Sequence, residues 1–218
     1  MHLLRRSKKI MANFPKGIYA ITPTYFTGDH LIKVVQETIN EGVKVLQYRF
    51  NESIREHERL VTAKRIMKIC KKSGVIFVVN NDFSLANKIG AGLHIGQDIK
   101  NTDFLKDFKK ITFIGLSCKD DLSQQTRGDH SLFSYFSFGP AFESKTKKNL
   151  KGPINIEKIS GKIDRTKINV AIGGIDRKNI AEIKKNGFDM AAICEGIYND
   201  PTKISRNIKE LTKIWNEN

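Results

Sequence analysis

Cysteine is scarce in this 218-residue chain: Cys70, Cys118 and Cys194 are scattered singly, with no C-x-x-C spacing. That argues against a disulfide framework or a zinc ribbon and reads as reduced, buried thiols in a cytoplasmic protein. Long apolar runs are missing too, since no stretch approaches the roughly 20 residues that a membrane-spanning helix needs. Without a Pro/Ser-rich linker, an internal repeat or a low-complexity block, nothing marks a second domain, and 39% hydrophobic residues suffice for one large core. Acidic residues are outnumbered, 23 against 38 basic ones, for a net charge of +15. Such an excess suits a nucleic-acid binder, which gains from counterion release. The lysines, however, are spread over polar helix faces such as Lys64-Arg65, Lys68, Lys71-Lys72 and Lys184-Lys185, and the signatures of helix-turn-helix, zinc-finger and ribonucleoprotein folds are lacking. The expected partners are therefore anionic small molecules, with no nucleic acid and no membrane; assembly into a homo-oligomer stays open. Residues 1–15 are basic but lack an apolar stretch long enough for a secretory signal. They are expected to form a disordered tail ahead of a single domain over residues 16–218, with an organellar address left open.

What the chain does have is a regular succession of strand-like runs: Gly17–Thr22, Val43–Arg49, Val75–Asn80, Gly92–Gly96, Ile111–Ser117, Leu132–Gly139, Ile168–Gly173 and Asp189–Cys194. Most are continuously apolar and rich in β-branched or aromatic residues, as strands buried on both faces of a parallel sheet are. Helical patterns lie between them. In Ser53–Ser73, Leu60, Ala63, Ile66, Met67 and Cys70 share one face, and Asp176–Gly187 carries an Asp where an N-cap belongs and a Gly at its end. Eight strands alternating with helix-sized connectors predict an α/β fold, a single (β/α)8 TIM barrel, with a doubly wound sheet as the alternative.

In such a barrel the chemistry belongs at the C-terminal ends of the strands, and polar residues collect there. Gln47 and Arg49 stand two apart on one strand and so point the same way; an Arg at a barrel rim suits bidentate capture of phosphate oxygens, or a structural carboxylate pair. Asn81-Asp82 and Asp98 close adjacent strands, where two carboxylates with substrate phosphates would hold Mg²⁺, while helix capping explains each Asp separately. Gly173-Gly174, ahead of a helix, lets the backbone approach an anion. After the aromatic run Leu132–Phe138 comes a cationic loop in which Ser144, Thr146 and Lys147 are placed to meet a phosphate. His94 within a strand reads as a core residue, and Cys118 as inert.

In chain order GIYAIT, VLQYR, VVNND, GLHIGQD, GLS, FGPAFESKTKK and AIGGI resemble the thiamine phosphate synthase and thiazole tautomerase (TenI-like) superfamily, from about Gly17 to Ile197. The resemblance implies a Mg²⁺-dependent transferase that joins hydroxymethylpyrimidine pyrophosphate to hydroxyethylthiazole phosphate, giving thiamine phosphate and pyrophosphate by a dissociative route. Arg49, Ser117 and Lys147 would then hold the pyrophosphate, with the metal on Asp82 and Asp98. Gln47 and Asn81 would meet the pyrimidine, Thr146 the thiazole-side substrate and Gly174 its phosphate. The chain departs from the family pattern at Asn51, where a cation is usual, at Gln97-Asp98-Ile99 in the second metal position, and at Glu195, where a Ser is usual. Two alternatives stay open: a thiazole tautomerase with Lys119 in the acid/base position, and a barrel that binds a thiamine-related ligand without turning it over.

Overall fold

The computed structural model describes residues 14–96, 105, 109–125, 130–143 and 152–217. Each apolar run becomes one strand: β1 Gly17–Ile21, β2 Val45–Tyr48, β3 Ile76–Asn80, β4 Gly92–Ile95, β5 Ile114–Lys119, β6 Tyr135–Phe138, β7 Ile168–Ile172 and β8 Met190–Ile193. All pair in parallel with their sequence neighbours, and β8 returns to β1, closing an eight-stranded barrel. The doubly wound alternative is thereby excluded. Five of the strands begin later than expected, β5 and β6 by the most, three residues each. Register pairing in Ile111–Ser117 starts at Ile114, although Thr112 N already donates to Ala91 O and Phe113 O accepts from Leu93 N, and Leu132, the first residue of Leu132–Gly139, ends a 3-10 turn at His130–Leu132.

Seven α-helices lie among the described residues: α1 Gly28–Asn40, α2 Glu56–Lys72, α3 Phe83–Ile89, α4 Ile156–Ser160, α5 Ile180–Lys185, α6 Glu195–Tyr198 and α7 Ile204–Glu217. The stripe expected on α2 is the buried one, with Ala63, Ile66 and Cys70 in the core and Leu60 and Met67 packed against it. Asp176, by contrast, is not the cap of α5. It closes a turn by accepting from Lys178 N, and Asn179 precedes the helix, its Nδ2 donating to Gly174 O at 2.9 Å. None of the described helices is long and apolar enough to cross a membrane.

Strand alternation divides the core in two. Outward residues such as Leu46, Val79, Leu93 and Phe136 meet the helices, whereas Tyr19, Val45, Val78, Phe113, Tyr135, Val170 and Met190 fill the barrel. Phe14, within the stretch read as tail, packs at the barrel's N-terminal end, edge-on to Phe113 with centroids 5.5 Å apart and 5.9 Å from Tyr135. Gly115 makes room for this packing, since a Cβ there would fall 1.9 Å from the Tyr135 ring. Apolar rings thus close one end of the barrel, and the polar groups are left to the other.

Candidate active site

Inward alternation on β2 continues from Val45 to Gln47 and on to Arg49. Gln47 is 3% exposed, and its Nε2 donates to Tyr19 Oη at 2.7 Å. Just beyond the strand, the Thr22 hydroxyl donates to Arg49 O and accepts from Arg49 N, both at 3.0 Å, which fixes the rim between β1 and β2. Arg49 makes no ion pair with a described carboxylate, so the structural pairing that its position also allowed is absent among the described residues. Its charge is felt at the end of β8: burial, then the Glu195 carboxylate, push the Cys194 thiol up to about 12, while Arg49 pulls it down.

The end of β3 differs from expectation. Asn81 has a left-handed backbone, φ 56°, and its side chain turns to the rim, where Oδ1 accepts from Gly96 N at 2.8 Å. Its own N–H donates to His94 O at 2.9 Å, so Asn81 ties β3 to β4. Asp82 accepts from Leu85 N through Oδ1, capping α3, and from Arg59 Nη1 through Oδ2 at 3.0 Å. Arg59 is itself held 5.0 Å over the Phe50 ring. The residue on the interior face is Asn80, two positions beyond Val78, at the edge of a cleft of about 730 Å³ that Arg59, Asp82 and Lys88 also line. Counting in twos from Val78 places Asn80, rather than Asn81, on the face that Val78 shares with the interior.

Those contacts decide how far Mg²⁺ fits. Both Asp82 oxygens are engaged within the protein, and no described group of three or more His, Cys, Asp or Glu side chains is arranged to hold a metal. Asp98, the expected second ligand, lies outside the described residues, as do Ser144, Thr146 and Lys147.

On the far side of the ring, Ser117 and Ser137 stand side by side as register partners on the neighbouring strands β5 and β6. Ser137 is 2% exposed, and its Oγ is without a partner among the described residues. Cys118 points outward into the helix layer, where burial pushes its thiol well up, consistent with an inert residue. Gly173 and Gly174 turn with φ 98° and 65°. A Cβ on Gly174 would lie 2.3 Å from Glu143 O, because the segment after β6 runs along this turn with Ala141 N donating to Ile172 O and Phe142 N to Gly173 O. Among the family departures, Asn51 accepts from Ser53 N in a turn. Glu195 opens α6 beside Tyr25, whose hydroxyl is pushed up to about 12 by burial and then by Glu195.

A family model described as "Thiamine monophosphate synthase" matches residues 18–197. The chain is 34% identical over 218 residues to a thiamine-phosphate synthase of Prochlorococcus marinus strain AS9601, covering 95% of this chain and 59% of that protein, and 32% identical over 209 residues to the thiamine-phosphate synthase of Methylococcus capsulatus, covering 93% and 91%. It thus spans about three fifths of the Prochlorococcus relative's length and nearly all of the Methylococcus one. A thiamine phosphate pyrophosphorylase from Pyrococcus furiosus shares the fold, with a TM-score of 0.77 at 22% identity over 92% of this chain and 96% of that one. The chain belongs to the thiamine monophosphate synthase family.

Proposed function

We propose that this protein is a thiamine phosphate synthase, joining hydroxymethylpyrimidine pyrophosphate to hydroxyethylthiazole phosphate. The observation that carries the reading is the family match over residues 18–197 on a barrel with Gln47, Arg49 and Asn80 at its inner rim. In the closed ring β3 stands four strands from β7, so Asn80 is opposite the Gly173-Gly174 turn.

The chemistry asks for little covalent help. The bond from the pyrimidine methylene to oxygen breaks, its electron pair leaves on pyrophosphate, and the thiazole nitrogen lone pair forms the new C–N bond. Charge therefore develops on the leaving oxygen, and preorganised donors there lower the barrier. Arg49 supplies a planar pair of donors on a backbone fixed by Thr22, with Ser117, Ser144 and Lys147 assigned to the same group. Gln47 and Asn80 take the pyrimidine, Asn80 in place of Asn81, which the rim uses. Gly173 and Gly174 bring bare backbone to the thiazole phosphate, and the thiazole-side substrate is also the role assigned to Thr146. Mg²⁺ belongs to the family reading: each Asp82 oxygen accepts one hydrogen bond, from Leu85 N or from Arg59, and keeps a lone pair with which it could hold the metal against the pyrophosphate charge. A cytoplasmic setting completes the proposal.

Incubating the purified protein with both substrates and following thiamine phosphate and pyrophosphate by mass spectrometry tests the reading. The two products should appear in equal amounts. Isomerisation of a thiazole carboxylate phosphate without coupling would instead favour the tautomerase, and binding without any product would overturn an enzymatic role.

A further inference from the structure

Four side chains form one chain of hydrogen bonds across the barrel interior. Gln47 Nε2 lies 2.7 Å from Tyr19 Oη, Tyr19 Oη lies 2.9 Å from Tyr135 Oη, and Tyr135 Oη lies 2.9 Å from His94 Nδ1. The His94 and Tyr135 rings are nearly parallel, 11° apart, with centroids at 5.7 Å. Tyr19 and Tyr135 are 1% and 0% exposed. Burial holds both hydroxyls well above their ordinary range, so each carries one proton.

Proton counting gives this chain a direction. Gln47 donates to Tyr19, so the Tyr19 proton must serve Tyr135 if no buried O–H is to go unmet. The Tyr135 proton must then serve His94 Nδ1, which leaves the imidazole proton on Nε2. The opposite direction is equally self-consistent only if every member reverses: His94 Nδ1–H donates to Tyr135, Tyr135 to Tyr19, and Tyr19 to a flipped Gln47 carbonyl. A mixed arrangement strands a buried donor or opposes two protons, each of which leaves a buried polar group unsatisfied. The orientation of Gln47 and the tautomer of His94 are thereby coupled, although the two side chains sit on strands separated by β3.

We propose that Tyr19 and Tyr135 are positioning residues that hold Gln47 with its amide oxygen presented to the substrate, and that they tie this orientation to the Nε2–H tautomer of His94. No described group donates to Gln47 Oε1, so the oxygen is available to a ligand. The site therefore selects a heteroaromatic ring that offers an N–H donor, such as an exocyclic amine, over the same ring without it. This selectivity rests on the synthase reading, in which Gln47 meets the pyrimidine; the coupling of Gln47 to His94 does not.

The test uses the whole protein with ¹⁵N-labelled histidine, in wild type and in Tyr19→Phe and Tyr135→Phe, which keep the rings and remove only a hydroxyl. Wild-type His94 should show the Nε2–H pattern. Tyr19→Phe, although Tyr19 is one residue removed from His94, should shift it toward a tautomer mixture. In the same variant the preference in kcat/KM for the amino substrate over a des-amino analogue should fall about tenfold, while KM for the thiazole phosphate holds. A wild-type His94 protonated on Nδ1, a Tyr19→Phe pattern identical to wild type, or an unchanged preference in active variants overturns the proposal. Should the wild type make no thiamine phosphate, the synthase reading fails alone, and the nitrogen spectra still decide the coupling.

Discussion

The two sides of the barrel mouth are built by different means. Around β7 the rim is backbone against backbone: Gly173 and Gly174 leave no room for a side chain, and the segment after β6 is stitched to them by main-chain hydrogen bonds. Around β2 and β3 the rim is made by side chains. Thr22 grips Arg49, Asn81 grips Gly96, and Asp82 grips Arg59. A substitution on the glycine side should therefore disturb the fold first, whereas one on the side-chain side can remove a ligand contact and leave the barrel standing.

The sharpest break between the two comes from Arg49→Ala. It should lower kcat/KM for the coupling reaction by about 10²–10³ through lost stabilisation of the leaving group, with thermal stability close to wild type. Steady-state kinetics beside a melting curve checks both halves. Gly174→Ala should behave in the opposite way, losing about 2–4 kcal/mol in denaturant titration, because its Cβ meets the Glu143 carbonyl and the left-handed backbone adds strain. Asp82→Ala tests whether that residue is structural. Removing the α3 cap and leaving Arg59 without its carboxylate should cost about 1–3 kcal/mol. Asn80→Ala should instead leave the melting temperature nearly unchanged and raise KM for the pyrimidine substrate.

The smallest effect concerns pH. Burial raises Tyr48 to about 12 and Tyr19, Tyr135 and Tyr198 further, against a value of 10.0 in the unfolded chain. Above pH 10.0 the unfolded state loses these protons while the folded state keeps them. The stability they contribute is fully present below that pH and is lost as pH rises toward the folded values. Melting temperatures measured from pH 8 to pH 11 should fall on the alkaline side, and less so in Tyr198→Phe.

Why some of this was legible in the sequence follows from the same contrast. The barrel was readable because eight buried strands need near-continuous apolar runs whatever lies between them, and VLQYR and AIGGI carry their positions in the spacing itself. Gly173-Gly174 was readable because only glycine tolerates that backbone beside another chain segment. The end of β3 was not. Asn80, Asn81 and Asp82 are three polar residues in a row, and their roles depend on which side of the strand each leaves and on a partner, Arg59, that is distant in sequence. The interior tyrosines were hidden for a related reason. Within GIYAIT and LFSYFSF they look like ordinary apolar filling, and only closure of the ring brings their hydroxyls together.

The division of the mouth into an Arg49 side for pyrophosphate and a glycine side for the thiazole phosphate is tested most directly by calorimetric titration of wild type and Arg49→Ala with each ligand in turn. The account predicts that Arg49→Ala loses most of its affinity for pyrophosphate and retains its affinity for hydroxyethylthiazole phosphate. Equal weakening of both ligands, or of neither, would contradict it.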